Sequence, residues 1–254
     1  MTRAVLALPF ALLLAVPAQA EEKAKWGTIT GQVVWAEKKL PDNPAAAGLP
    51  KGCVAGIRKD ELIVDPKTKG VKNVAFWLVD AKNPAKKFPV HPAVAKAMPK
   101  DVTIDQPCCQ FEARVAVVAD GQRLVAANSA AIAHNCNIGG KVGRNFLLGP
   151  KTSQVVGALA AETYPIPITC NIHGWMKAYV VTAPTPYAAV TAADGTFTIK
   201  DAPAGDFMLV AWHERIGWLY IDLKKPENKG KKLAVKPGKN DQGKIDFKLP
   251  ADDE

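Results

Sequence analysis

Several sulfur and nitrogen ligands fall close together in one part of the chain. Cys170, His173 and Met176 follow one another at C-x2-H-x2-M spacing, and His134 supplies a second imidazole upstream. Two imidazoles, one thiolate and a weak axial thioether form the ligand set of blue-copper electron-transfer sites, because soft sulfur ligands select copper over harder cations. The sequence therefore predicts one type 1 copper, bound strongly by the two histidines and Cys170 and weakly by Met176.

Three neighbours of these ligands have predicted roles. Asn135 directly follows His134, and we expect it to donate a hydrogen bond near the Cys170 sulfur and so to fix the ligand loop. Trp175 either faces solvent and marks a docking surface for a redox partner, or is a half-buried aromatic residue. Cys136 lies on the same side of a strand as His134. It is a core thiol, a disulfide partner or a perturbing neighbour of the metal, and the core thiol is favoured.

The elements that position these residues are predicted to be β-strands. The chain has 20 prolines and 19 glycines, and they separate short runs rich in β-branched residues, which is the pattern of strands joined by turns. Asp-Gly pairs at 120–121 and 194–195 predict hairpins, and 93–98 is a candidate helical turn. The fold class predicted is all-β, made of sandwiches or barrels. Strands are predicted over residues 27–35, 71–79, 102–104, 114–118, 124–128, 153–159, 166–169, 178–181, 188–191, 196–199, 207–212, 219–223, 232–235 and 244–249.

The segment from about 102 to 181 resembles the cupredoxins, the family of blue copper proteins. The resemblance lies in the C-x2-H-x2-M loop, which is of the amicyanin type, and in the His134-Asn135 pair that follows a Gly121 turn and a strand ending at Asn128. It implies a Greek-key sandwich, one mononuclear copper and electron transfer. Cupredoxins usually place an aliphatic residue where this chain has Cys136.

A second resemblance covers the part of the chain after 186. The pattern D-G-x-F-x-I over 194–199, the P-x-G of 203–205 and the strand 207–212 resemble a carboxypeptidase-regulatory-like (transthyretin-like) domain. This family implies a smaller β-sandwich used for adhesion or scaffolding, without catalysis. Strands 27–34 and 71–78 resemble its opening strands, so the cupredoxin is either inserted into this domain or placed in tandem with it.

These resemblances divide the chain into four parts. Residues 1–20 are predicted to be a signal peptide, and 26–82 to be N-terminal strands, which belong to the transthyretin-like domain if the cupredoxin is inserted into it. The predicted cupredoxin domain covers 100–184, and the carboxypeptidase-regulatory-like domain covers 186–254.

The beginning of the chain predicts export. Arg3 precedes an apolar run over 4–17, and Ala18-Gln19-Ala20 is a small-residue cleavage site. No later segment approaches the length of about 20 apolar residues that a transmembrane helix needs. We therefore expect a periplasmic or secreted protein without a transmembrane anchor.

The five cysteines fit an oxidising compartment, in which disulfides form. An odd number leaves at least one thiol unpaired, and a metal-bound Cys170 accounts for it. The adjacent Cys108 and Cys109 would point to opposite faces of a strand, so they should not share one partner environment. Among the other four cysteines, our prediction is a disulfide between Cys53 and Cys109.

The net charge of +9 is carried mainly by dispersed lysines. A solvated basic surface explains it, and steering toward an acidic redox partner is the alternative. Nucleic-acid binding has no supporting motif, and neither Ser129 nor Ser153 lies in a G-x-S-x-G motif. His91 and His213 are too few for a second, catalytic copper. The prediction is a non-enzymatic electron carrier. The alternatives are a copper-binding or copper-delivery protein and a non-redox structural module.

Overall fold

The computed structural model describes residues 26–43, 57, 61–222 and 225–249, and these form an all-β protein with one short helix, α1 (Pro92–Ala97). The predicted signal peptide and Cys53 lie outside the described residues. In this part of the chain no helix is long and apolar enough to cross a membrane. In chain order the strands are β1 (Trp26–Trp35), β2 (Ala75–Asp80), β3 (Asp101–Ile104), β4 (Val115–Ala119), β5 (Arg123–Asn128), β6 (His134–Ile138), β7 (Arg144–Leu148), β8 (Thr152–Gly157), β9 (Ile166–Thr169), β10 (Lys177–Ala183), β11 (Ala188–Val190), β12 (Thr196–Pro203), β13 (Gly205–His213), β14 (Gly217–Trp218), β15 (Ile221–Asp222), β16 (Lys225–Lys229), β17 (Lys231–Val235) and β18 (Gly238–Phe247).

The strands β3–β10 form two sheets, which we call the central sandwich. One sheet has the order β4-β10-β9-β6-β7 and the other has the order β3-β5-β8. Side chains alternate between buried and partly exposed along β5, as expected for a strand with one face on a core. The core between the two sheets contains Ile104, Leu124 and Ile168, and also Cys170 and Met176.

The strands before and after this segment form what we call the terminal sandwich. β1 pairs with β12 and with β18, and β2 pairs with β11 and β13. Strands from both ends of the described chain therefore share the same sheets. Phe76 and Phe197 stack in its core with ring centroids 4.0 Å apart. The second family resemblance and the domain limits stay predictions.

Both predicted Asp-Gly hairpins are wrong as hairpins. β4 pairs with β10, whereas β5 pairs with β3 and β8. Likewise β11 pairs with β2 and β12 pairs with β1. Each Asp-Gly pair does make a turn, with Gly121 at φ +86° and Gly195 at φ +79°. The turn carries the chain from one sheet to the facing one, because both flanking runs have an apolar side to bury.

The two sandwiches pack against each other through aromatic and charged residues. Tyr179 of β10 lies 5.0 Å from the Trp212 ring of β13. The Arg114 guanidinium makes two hydrogen bonds of 2.6 Å to the Glu214 carboxylate, with both side chains almost fully buried. This bidentate ion pair connects the beginning of β4 to the end of β13.

Candidate metal centre

Two antiparallel strands bring the predicted ligands together. β6 pairs with β9, with Asn137 opposite Thr169, so the beginning of β6 lies beside the end of β9. His134 is the first residue of β6, and Cys170 directly follows β9. This neighbour relation explains how residues 36 positions apart share one site.

The ligand loop between β9 and β10 is closed by its own backbone. The Cys170 N–H donates to the Met176 carbonyl at 3.3 Å, and the Met176 N–H donates to the His173 carbonyl at 2.9 Å. These bonds fold 170–176 into a tight turn, so that Cys170 and His173 face the same side as His134.

Three donor atoms form a compact triangle. Nδ1 of His134 lies 2.9 Å from Nδ1 of His173, and Cys170 Sγ lies 4.0 Å and 3.8 Å from these two nitrogens. The point equidistant from the three atoms is about 2.1 Å from each. This matches the zinc–nitrogen distance of about 2.0–2.1 Å and approaches the zinc–thiolate distance of about 2.3 Å. The donor set therefore fits a single metal ion in a trigonal arrangement.

The site is nearly dry, and its imidazoles are held neutral. His134 is fully buried and His173 is 4% exposed. Burial, and then the neighbouring His173, lower the pKa of His134 to about 4, and burial also lowers the pKa of His173. Both rings are therefore uncharged at neutral pH and each has a lone pair to offer a metal.

Asn135 holds the ligand loop, but near the Cys170 sulfur its side chain accepts hydrogen bonds, whereas we predicted that it would donate one. Its Oδ1 accepts from the backbone N–H groups of Asn171 and Ile172 at 2.8 and 3.1 Å. The same oxygen lies 3.3 Å from Cys170 Sγ and accepts from the thiol. Asn135 therefore does not donate toward the sulfur. Two backbone donors require an oxygen at that position, and this fixes the orientation of the amide.

Met176 and Trp175 lie on either side of the boundary between core and surface. Met176 is 1% exposed and belongs to the same core cluster as Cys170, and its role as the axial ligand stays a prediction. Trp175 is half-buried, with its indole N–H donating to the Cys109 carbonyl at 3.0 Å. This contact agrees with the half-buried alternative, and the docking role stays a prediction.

Cys109 also lies at the site, and no motif in the sequence predicts this position. Its Sγ and one ring nitrogen of each of His134 and His173 lie within 4.8 Å of one another, so this cluster could hold a metal ion. Cys109 is disulfide-bonded, whereas Cys108, Cys136 and Cys170 have free thiols. Cys170 is the better thiolate candidate, because it is free and its sulfur is at most 4.0 Å from both Nδ1 atoms. No disulfide joins two described cysteines, and the Cys53–Cys109 pairing stays a prediction.

The two remaining histidines lie elsewhere. His91 is the N-cap of α1 and accepts from the Ala93 N–H at 3.1 Å. His213 is buried against the ring of Phe247, with centroids 5.0 Å apart. Burial, and then the positive charge of Arg114, lower its pKa to about 3. His213 is therefore a neutral core residue of the terminal sandwich.

The chain is similar to solved structures of amicyanin. A reduced variant of amicyanin has 17% identity and a TM-score of 0.29, over 35% of this chain and 88% of that chain. An oxidised variant has 16% identity and a TM-score of 0.29, over 48% of this chain and 99% of that chain. No family model and no curated protein matches the chain.

Proposed function

We propose that this chain is an exported, periplasmic or secreted type 1 copper protein that transfers single electrons between redox partners. In this proposal His134, Cys170 and His173 would hold the copper strongly, and Met176 would hold it weakly. The observation that supports the proposal most strongly is the triangle of two imidazole nitrogens and one thiol sulfur with sides of 2.9, 3.8 and 4.0 Å. The bound copper supplies one-electron oxidation and reduction.

The residues around the triangle limit its rearrangement. The Asn135 side chain fixes the two backbone N–H groups after Cys170, and the backbone bonds between 170 and 176 close the loop. Packing of Cys170 and Met176 in the central core holds the other side. A donor set held in this way suits electron transfer, because little movement accompanies a change of metal charge.

The partner is proposed to dock at the exposed edge of the ligand loop. Ile172 is 52% exposed, and Leu147, opposite Asn135 in the β6–β7 pair, is 76% exposed. With Trp175 these side chains give the site an apolar rim. The net charge of +9 favours a partner with an acidic surface. The terminal sandwich is proposed to be a transthyretin-like scaffold for the copper domain.

The decisive test is the visible spectrum of the purified protein titrated with Cu²⁺. We expect an intense thiolate-to-copper band at one equivalent, which ascorbate bleaches and an oxidant restores. The Cys170→Ser variant should lack this band but stay folded. Its matched control is Cys136→Val, which removes another buried thiol of the same core and should keep the band nearly intact.

Each alternative has its own outcome in this experiment. A copper-delivery protein would bind Cu⁺ preferentially and show no intense band and no reversible redox titration. A non-redox structural module would contain no copper in metal analysis. A band that survives in Cys170→Ser contradicts the assignment of the thiolate, and loss of the band in Cys136→Val would mean that Cys136 belongs to the site.

A further inference from the structure

A second sulfur has a fixed place beside the two imidazoles. Cys109 is fully buried in the central core together with Cys170. Its Sγ and one nitrogen of each of His134 and His173 lie within 4.8 Å of one another. The hydrogen bond from the Trp175 indole to the Cys109 carbonyl ties this segment to the ligand loop. Two sulfurs, Cys109 and Cys170, are therefore within reach of the same pair of imidazoles.

The redox state of Cys109 decides what this second sulfur can do. In the disulfide the sulfur has no proton to lose and no negative charge, and the thiolate is the form that binds metals. The imidazole pair then has one thiolate available, that of Cys170. If the disulfide is reduced, Cys109 offers the imidazole pair a second thiolate beside that of Cys170. Cys₂His₂ is a common tetrahedral donor set for Zn²⁺, and soft thiolates also favour Cu⁺.

We propose that Cys109 is a redox-controlled ligand that changes the metal preference of the site. This inference rests on the proposed metal site. Oxidised, the site has a single thiolate and suits a copper ion that transfers electrons. Reduced, Cys109 supplies His134 and His173 with a second thiolate ligand, and the site then prefers Zn²⁺ or Cu⁺.

The reduction step is an ordinary thiol–disulfide exchange with a dithiol as reductant. The dithiol supplies two electrons and two protons, the S–S bond of Cys109 breaks, and both cysteines become thiols. The dithiol closes to its own cyclic disulfide. Binding of the metal ion then displaces the Cys109 proton to solvent.

The other two free cysteines outside the triangle are poorer candidates for this role. Neither Cys136 nor Cys108 belongs to the described cluster of metal-binding atoms. Burial, and then the neighbouring Cys170, raise the pKa of Cys136 to about 12. Cys108 is partly exposed on the loop, and this makes it a matched control for its neighbour.

The test uses the full-length, copper-free protein and Zn²⁺ alone as the probe. The protein is incubated with or without a dithiol, the dithiol is removed by anaerobic gel filtration, and thiols are counted after unfolding. The affinity for Zn²⁺ is then measured by competition with a chromophoric chelator. We expect two additional thiols and an increase in Zn²⁺ affinity of about 100-fold, because a second thiolate becomes available to the two imidazoles. Cys108→Ser should behave like the wild type, whereas Cys109→Ser should show no increase.

Three results would overturn the proposal. The first is a thiol count that does not rise. The second is a rise in the thiol count without a change in Zn²⁺ affinity, and the third is a Cys109→Ser variant that keeps the full increase in Zn²⁺ affinity. If Cys109→Ser fails to fold, Cys109→Ala is measured in its place, and thiol counting on the wild type decides separately whether the disulfide is reducible. None of these measurements uses the blue band of the unreduced protein with Cu²⁺, so failure of the switch and failure of the proposed electron-transfer site are distinguishable.

Discussion

Replacing Asn135 with alanine should loosen the ligand loop far more than replacing its neighbour on the same strand. The Asn135 side chain is 5% exposed and accepts two backbone N–H bonds of 2.8 and 3.1 Å. It also donates to the side chains of Asn145 and Asn171 at 2.8 and 3.1 Å. A hydrogen bond contributes about 1 kcal/mol net. Because Asn171 and Ile172 are exposed, water can partly replace the lost acceptor, and we expect a loss of about 2 kcal/mol.

Asn137→Ala is the matched control, because Asn137 lies two residues further along β6. Its side chain makes one long bond, of 3.4 Å, to Thr169 Oγ1. Both variants lose the same atoms from the same strand, so the difference between them isolates the contacts of the Asn135 side chain with the loop. The free energy of unfolding of the copper-free protein is measured in urea, and the Kd for copper by chelator competition. Asn135→Ala should raise this Kd by about 10- to 100-fold, whereas Asn137→Ala should stay close to the wild type. Equal losses of stability and affinity in the two variants would refute the reasoning.

Further predictions concern the terminal sandwich and its contact with the central one. His213 has a pKa of about 3 in the folded protein and an ordinary value of 6.5, so unfolding takes up a proton when the pH is below about 6.5. The free energy of unfolding therefore falls as the pH drops, by about 2 kcal/mol between pH 7 and pH 5. In urea unfolding measured at pH 7 and at pH 5, His213→Asn should remove this part of the pH dependence. An unchanged difference in the free energy of unfolding between the two pH values would contradict the prediction. Arg114→Met should cost about 3–5 kcal/mol because it leaves the buried Glu214 carboxylate unpaired. The double variant with Glu214→Leu should recover most of this loss, and additive losses would mean that the two side chains are not coupled.

The fold was predictable wherever apolar residues alternate or run together. β1, β9 and β13 follow from such runs, and each predicted strand overlaps an observed one. β6 and β7 were not predicted. β6 has the sequence HNCNI, which is rich in residues with low β-propensity, and its pairing with β7 and β9 overrides that preference. The hairpins failed for a related reason, because the sequence around a turn specifies the turn and not the sheet in which each flanking strand pairs.

The site was predictable to the extent that its chemistry lies in one short loop. The spacing of Cys170, His173 and Met176 places them on one turn, and the His134-Asn135 pair was recognisable by its resemblance. Two features depend on tertiary contacts and were not predictable. The direction of the Asn135 hydrogen bonds is set by the backbone donors of a loop 36 residues away. The position of Cys109 is set by the packing of an irregular segment between β3 and β4 against Trp175.

The contact between the two imidazoles determines which protons move when a metal binds. At 2.9 Å between the two Nδ1 atoms, one ring must donate to the other in the metal-free protein. Nε2 of His134 is buried with no hydrogen-bond partner among the described residues, and a buried N–H without an acceptor costs about 1–3 kcal/mol. The proton of His134 is therefore placed on Nδ1, with His173 as the acceptor. If both Nδ1 atoms were to hold a metal, the His134 proton would have to lie on Nε2, and Cys170 would have to give up the thiol proton that it shares with Asn135. Coordination must offset both costs, so what favours the metal at this site is the fixed triangle of donors and the neutrality of its histidines.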